Sequence, residues 1–234
     1  MKIAVFTGAG ISAESGIATF RDSNGLWNNH RPEDVATIDA WHSNPELLLQ
    51  FYNERRAQLH TVHPNAAHFA LAELEKDHEV SIITQNVDDL HERAGSTNIL
   101  HLHGEIAKMI GENDEPSNPN VVDYPYNKDI KLGDMTPAGY QLRPKIVWFG
   151  EMVYGMLDAQ QIVKQADVLI VIGTSLNVYP AASLTNLYAT PKTKILVNKE
   201  QPSGMTVGDW ITLIEPATTG VPKIRGILND LVAK

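Results

Sequence analysis

Residues 2–12 read KIAVFTGAGIS. Ile3, Ala4, Val5 and Phe6 are apolar without alternation, which is how a strand buried on both faces reads, and a parallel sheet covered by helices is made of such strands. A glycine-rich turn follows at once, and small, helix-compatible residues follow the turn. Gly8, Gly10 and Ala13 fit G-x-G-x-x-G/A, where the glycines allow a tight turn with close backbone approach and the N-terminus of the following helix attracts a phosphate. The usual dinucleotide pattern then breaks off. No second strand ends in an acid about 20 residues on; the chain continues into FRDSNGLW, residues 20–27, which reads as a loop. A nucleotide bound here is therefore expected to be held differently from that of a dehydrogenase.

Further runs of the same kind occur at residues 80–84 (VSIIT), 98–102 (NILHL), 145–149 (KIVWF), 168–172 (VLIVI), 194–197 (KILV) and 210–214 (WITLI). Helical segments over 64–76, 158–166 and 181–188 separate many of them, as in a Rossmann-like, doubly wound α/β fold with a mostly parallel sheet. After the strands come GAGIS, QNVDDLH, HGE, GE, GTS and NKE. A gathering of glycine and polar groups at the carboxyl ends of parallel strands predicts a ligand site along that edge. Two long stretches interrupt the pattern. Residues 23–78 read as helical after a polar start, and 105–144 are rich in Pro, Asn and Asp. The expected division is a Rossmann-like part over about 1–22, 79–104 and 145–234, with a smaller lobe built from the two insertions, 23–78 and 105–144.

Bulk properties narrow the function. The 234 residues suit one catalytic domain, and a composition 43% hydrophobic and 20% charged is that of a soluble globular protein. A formal net charge of -9 argues against nucleic acid and anionic membranes as partners. The chain has no cysteine, so it can form neither disulfides nor thiolate metal sites and carries no cysteine nucleophile. No run approaches the length of a signal-peptide core or a membrane span, and a cytoplasmic location is the expectation.

The motifs GAGISAESGIATFRD (8–22), TQNVDDLHERAG (84–95), HLHGE (101–105), VWFGE (147–151), GTSLNVYPA (173–181) and VN (197–198) occur in the order and at the spacings of the sirtuins, NAD-dependent protein lysine deacylases. The likeness runs from Lys2 to about Val232, and the chain resembles a minimal bacterial-type catalytic core. The resemblance implies NAD as cosubstrate and acylated-lysine proteins as partners; the sequence leaves the oligomeric state open, with a monomer favoured. The resemblance assigns Ala9, Gly10, Ile11, Phe20 and Arg21, with Gly8 of the glycine motif, to the NAD loop. Gln85, Asn86 and Asp88 match the ribose and nicotinamide pocket, and His103 the catalytic histidine. Val147 and Phe149 match the acyl-lysine channel. Gly173, Thr174, Ser175 and Asn198 match phosphate and adenosine contacts. Gly150, Glu151, Asn177 and Val178 match the two segments between which a peptide adds as a strand.

Sirtuin-like catalysis breaks the nicotinamide–ribose bond, captures the ribose with the acyl oxygen, and yields free lysine, nicotinamide and an O-acyl-ADP-ribose. Asn86 and Asp88 are expected to hold the carboxamide, and His103 to act as general base on a ribose hydroxyl. His101, on the same strand face as His103, reads as a structural histidine. The alternatives on this fold are an NAD hydrolase or ADP-ribosyltransferase and a non-catalytic NAD or ADP-ribose sensor.

Two departures from the common sirtuin pattern carry expectations of their own. Most sirtuins hold a zinc with four cysteines in the segment after HGE, whereas residues 106–144 here contain neither cysteine nor histidine. No metal is expected. Met109, Ile110, Val121, Val122, Tyr124, Tyr126, Ile130 and Leu132 are expected to form an apolar core in its place. In LLLQFYNERRAQL, residues 47–59, the positions Leu48, Phe51, Tyr52, Arg55 and Leu59 share one helix face. Tyr52 and Arg55 match the Tyr-x-x-Arg pair of sirtuins that prefer succinyl- and malonyl-lysine. A guanidinium can grip a carboxylate in two places while a tyrosine hydroxyl adds a donor. Arg56 is expected to be a solvated surface charge.

Overall fold

The structure, a computed structural model, describes residues 1–19, 30–115, 118–186, 188–203, 205 and 208–232. Its strands are β1 (Lys2–Thr7), β2 (Glu79–Thr84), β3 (Ile99–His101), β4 (Gly104–Gly111), β5 (Val122–Asp123), β6 (Leu142–Ile146), β7 (Val168–Ile172), β8 (Thr193–Asn198) and β9 (Trp210–Ile214). Its helices are α1 (Pro32–Val35), α2 (Ile38–Ser43), α3 (Pro45–Thr61), α4 (Ala66–Leu74), α5 (Leu90–Ala94), α6 (Met156–Gln165), α7 (Ala217–Gly220) and α8 (Ile224–Val232). Six strands form one parallel sheet in the order β3-β2-β1-β7-β8-β9. The order reverses direction between β1 and β7, and the crevice outside the carboxyl ends of two such strands is where a doubly wound sheet binds its ligand.

The consecutive apolar residues of β1 divide between the two faces of this sheet. Ile3 and Val5 pack with Ala67 and Leu71 of α4 and Leu228 of α8. Ala4 and Phe6 pack with Ala159 and Val163 of α6 and with Ala181 and Leu184 of a 3-10 turn. Period-2 alternation under helices on both sides explains why the strand is apolar throughout. α4 thus shares the core of the large sheet although it belongs to the stretch 23–78. β9 is an edge strand paired only to β8, and its Ile211 and Ile214 are exposed.

The run 145–149 is not a strand of the large sheet. β6 ends at Ile146 and pairs antiparallel with β4 in a small sheet, order β5-β4-β6. Beyond β6 the chain is held piecewise. The Val147 amide donates to the His103 carbonyl (2.9 Å), and Phe149 exchanges backbone bonds with Ala36 (2.9 Å) and Ile38 (3.1 Å). Continuous apolarity was a poor guide here because Trp148 is buried in the core beneath α2 and α3, with no helix-covered sheet around it.

That core also holds Met109, Ile130, Leu142 and Ile146, with Tyr124 and Tyr126 packed at its margin. Val121, Val122 and Leu132 are exposed, so only part of the expected apolar set joins this core. Polar groups of α3 supply the rest. Asn53 pairs with both backbone groups of Ile130, Nδ2 to the carbonyl at 2.9 Å and the amide to Oδ1 at 3.0 Å. Arg56 is fully buried, contrary to the expectation of a solvated charge. It donates to the carbonyls of Lys128 (2.9 Å), Tyr124 (3.1 Å) and Pro125 (2.6 Å) and lies over the Tyr124 ring.

Candidate active site

The glycine loop after β1 and the loop after β7 interlock. The Gly8 amide donates to the Ile172 carbonyl (3.0 Å) and the Gly10 amide to that of Gly173 (2.8 Å). A Cβ on Gly10 would stand 2.7 Å from Gly173 Cα, and one on Gly173, where φ is +61°, 2.4 Å from the Ile11 amide nitrogen. At these positions glycine first serves the approach of one loop to the other, which shapes the crevice. The expected α-helix does not follow. The chain makes two 3-10 turns, Ala9–Ile11 and Ala13–Ser15. Ile11 is fully buried, its amide bonded to Gly8 and its carbonyl to Asn65 Nδ2 (2.8 Å). Ala9 is half-buried on the same turn. Phe20 and Arg21 lie outside the described residues.

Asn86 and Asp88 meet this loop and are almost fully buried. Asn86 Nδ2 donates to the Gly8 carbonyl and to Ser12 Oγ, both at 3.2 Å. Ser12 Oγ donates to Asp88 Oδ2 (3.0 Å), and the Leu90 amide to Asp88 Oδ1 (3.2 Å). Burial pushes the Asp88 carboxyl up to about 6, against the Leu90 and Ser12 hydrogen bonds. A second chain of bonds supports the pair from below. Thr7 Oγ1 donates to Thr84 Oγ1 (2.8 Å), which accepts from the Asn86 amide (3.0 Å), and Thr7 Oγ1 stands 3.1 Å from His91 Nε2. Ser12, Thr7, Thr84, His91 and Asn65 carry no assigned role in the sequence reading. Only Asn65 had a local signal, an Asn in the N-cap position of α4.

Gln85 Oε1 accepts from Thr174 Oγ1 (2.9 Å), and Asn198 Nδ2 donates to the Thr174 carbonyl (3.0 Å), so residues assigned to ribose and adenosine contacts brace one another across β2, β7 and β8. Ser175 is half-buried beside them. His103 follows β3, with Nδ1 3.0 Å from the Gln85 carbonyl. A carbonyl only accepts, so Nδ1 carries the proton and Nε2 keeps a lone pair. Burial lowers the affinity of the ring for a second proton, outweighing the Gln85 bond. A neutral imidazole with a free Nε2 is the form a general base needs.

His101 differs. Nδ1 is 3.1 Å from the Asn86 carbonyl and Nε2 is 2.7 Å from Glu92 Oε1. Glu92, His101 and Glu105 bring ligand-type atoms within 4.8 Å of one another, but the Glu105 carboxylate is held by Lys108 (2.7 Å) and Lys145 (2.8 Å).

On the other wall stands α3. Tyr52 and Arg55 are both buried on its inward face. The Tyr52 hydroxyl accepts from Trp148 Nε1 (3.0 Å), which leaves its own proton for another acceptor, and burial pushes its pKa up to about 12. Burial pushes the Arg55 guanidinium down to about 10, with Tyr52 and Asp88 opposing, so it remains a cation at neutral pH facing the Asp88 side of the crevice. Val147 is half-buried and Phe149 is 49% exposed. Gly150 has φ +93°, and the Glu151 carboxylate turns inward to both Arg143 guanidinium nitrogens (2.6 and 2.9 Å) and the Trp148 amide (2.8 Å). Asn177 is exposed and Val178 half-buried on the loop after β7. Buried amide and carboxylate groups beside interlocked glycine turns, with a neutral histidine bonded to the same strand-end loop at Gln85, suit the polar, planar and phosphate-bearing parts of NAD.

Comparison with known proteins agrees. The Sir2 family profile matches residues 8–180. An NAD-dependent protein deacylase of Helicobacter pylori is 59% identical over 183 residues, 78% of each chain. One of Bacteroides thetaiotaomicron is 46% identical over 229 residues, 97% of each. A solved Sir2 homologue in complex with NAD superposes with TM-score 0.86 at 39% identity, over 98% of this chain and 90% of that one. A Sir2 protein bound to a myristoylated histone peptide does so with TM-score 0.74 at 32% identity, over 99% and 92%. On these grounds the chain belongs to the Sir2 family.

Proposed function

We propose that this NAD-dependent protein deacylase acts by preference on lysines bearing a short acidic acyl group, succinyl or malonyl, with acetyl-lysine as a lesser substrate. The observation that carries the reading is Arg55, a cation buried on the inward face of α3 beside Tyr52 and toward Asp88. An acyl carboxylate entering this space receives a charge-assisted bond from the guanidinium and the proton of the Tyr52 hydroxyl, which an acetyl group, having no carboxylate, cannot accept in the same way.

NAD supplies, when bound, a nicotinamide–ribose bond and a ribose hydroxyl. The chain's own groups do the positioning. Asn86 and Asp88, fixed by Ser12, Gly8 and Leu90, offer amide and carboxyl partners to a carboxamide. His103, with its proton on Nδ1, takes a proton from a hydroxyl at Nε2. Gly150 and Glu151 on one side and Asn177 and Val178 on the other supply backbone for an extended peptide.

The test is a panel of acetyl, malonyl and succinyl peptides with NAD, assayed for nicotinamide release by the wild type and by Arg55→Met. Desuccinylation by the variant should fall at least about 100-fold, as for loss of a buried ionic hydrogen bond pair, with a much smaller change in deacetylation. Equal losses would refute the acidic-acyl reading, and nicotinamide release without peptide would point to NAD hydrolysis.

A further inference from the structure

We infer that His101 is a positioning residue of the reaction: held as an imidazolium by Glu92, it clamps the Asn86 carbonyl and so fixes the Asn86–Asp88 pair. The inference rests on the reading of that pair as the carboxamide-binding groups.

The stretch 84–86 has each of its three carbonyls taken by the stretch 101–103. Thr84 accepts from the Leu102 amide (2.9 Å), Gln85 from His103 Nδ1 (3.0 Å) and Asn86 from His101 Nδ1 (3.1 Å). The first bond continues the β2–β3 ladder. The other two replace ladder bonds with imidazole donors where the backbone turns away from the strand. Two histidines at i and i+2 thus stand on one face and act on successive carbonyls, yet they are in different states. His103 has one hydrogen-bonded nitrogen and keeps the other as a base. His101 has a carbonyl at one nitrogen and a carboxylate at the other, and since both partners only accept, both nitrogens carry protons. The ring is therefore a cation, with its side chain 8% exposed.

Its surroundings maintain that charge. Burial alone lowers the pKa of the ring, but Glu92 of α5, Glu105 of β4 and the Asn86 carbonyl together raise it. Lys108 and Lys145 lie beyond Glu105 and are paired to it. On the inner side the cation acts on Asp88, favouring its ionised form against burial, and on His91, favouring its neutral form. The Asn86 side chain and amide are already held by Gly8, Ser12 and Thr84. The His101 bond is what anchors the peptide unit between Asn86 and the segment leading to Asp88.

Nitrogen NMR of the imidazoles, with His101 assigned from its absence in His101→Gln, reads the state directly. At pH 7.5 both nitrogens of His101 should be protonated. In Glu92→Gln the titration should fall by about one pH unit or more, and the alkaline limb of kcat should move with it, a loss of up to about tenfold on that side. His101→Gln, which keeps a donor for the Asn86 carbonyl but no charge, should lower kcat more than the KM for peptide and abolish the shift. A neutral His101 at pH 7.5, or an alkaline limb that stays in place in Glu92→Gln, overturns the inference. Peptide-dependent nicotinamide release by the wild type in the same assay reports separately on the proposed function.

Discussion

Asp88 illustrates the cost of readiness at the residue scale. Its pKa in the folded protein is raised from 3.8 to about 6. Between those values the unfolded chain ionises while the folded one keeps its proton, so the folded state loses relative stability as pH rises, and above about 6 the penalty is constant. It amounts to roughly 3 kcal/mol at 1.36 kcal/mol per unit. Asp88→Asn should therefore be more stable than the wild type at pH 8 and little different at pH 4, while deacylation is lost; thermal melts at the two pH values check the sign. His103 gives the complementary expectation for activity. Burial holds its pKa below 6.5, so kcat should fall on acidification only below that value, and a midpoint above it would contradict the neutral, Nδ1-protonated form. At this scale much was legible. Asn86 and Asp88, which the motif resemblance named, are linked through Ser12, and His103 bonds the Gln85 carbonyl next to them in the chain. Ser12, Thr84 and His91 were not legible, because a hydroxyl or a second histidine inside a motif gives no sign of which neighbour it will bond.

α3 is the element on which the sequence was half right. The spacing of Leu48, Phe51, Tyr52, Arg55 and Leu59 defined an inward stripe, and the structure buries all five. A second stripe, Leu49, Asn53 and Arg56, was missed. Its partners are backbone carbonyls of 124–130, and a segment that offers carbonyls to a side chain has no periodicity of its own to announce it. Burial by an aperiodic segment leaves a helix looking more polar on that side than it is. Arg56→Met should destabilise the fold by about 3 kcal/mol, since each carbonyl left buried without a donor costs about 1–3 kcal/mol. Arg56→Lys should recover little, because one ammonium cannot span three carbonyls in the plane of a fork. Urea denaturation of the two variants beside Arg55→Met measures this. A metal chelator should leave the melting temperature of the wild type unchanged.

Over the whole molecule, the large sheet followed from its apolar runs and the small one did not. β4 mixes buried and half-buried residues around charged ones, while β6 carries Arg143, Pro144 and Lys145 in its middle and merges in sequence with the buried Trp148. Net charge acts at this scale too. With a formal charge of -9, basic substrate proteins are drawn to the enzyme at low salt and acidic ones repelled, so kcat/KM for lysine-rich succinyl peptides should fall as salt is raised and that for acidic peptides should rise. A last consequence concerns α3 as a shared part. One rod presents Tyr52 and Arg55 to the crevice and Asn53 and Arg56 to the cysteine-free lobe, so a turn of the rod moves both pairs together. Grafting a metal-binding ribbon in place of 112–141 would take away the carbonyls that set the rotation of the rod, and with it the aim of Arg55. The fold of the cysteine-free lobe and the aim of Arg55 are thus coupled through one helix, and a change to either is expected to reach the other.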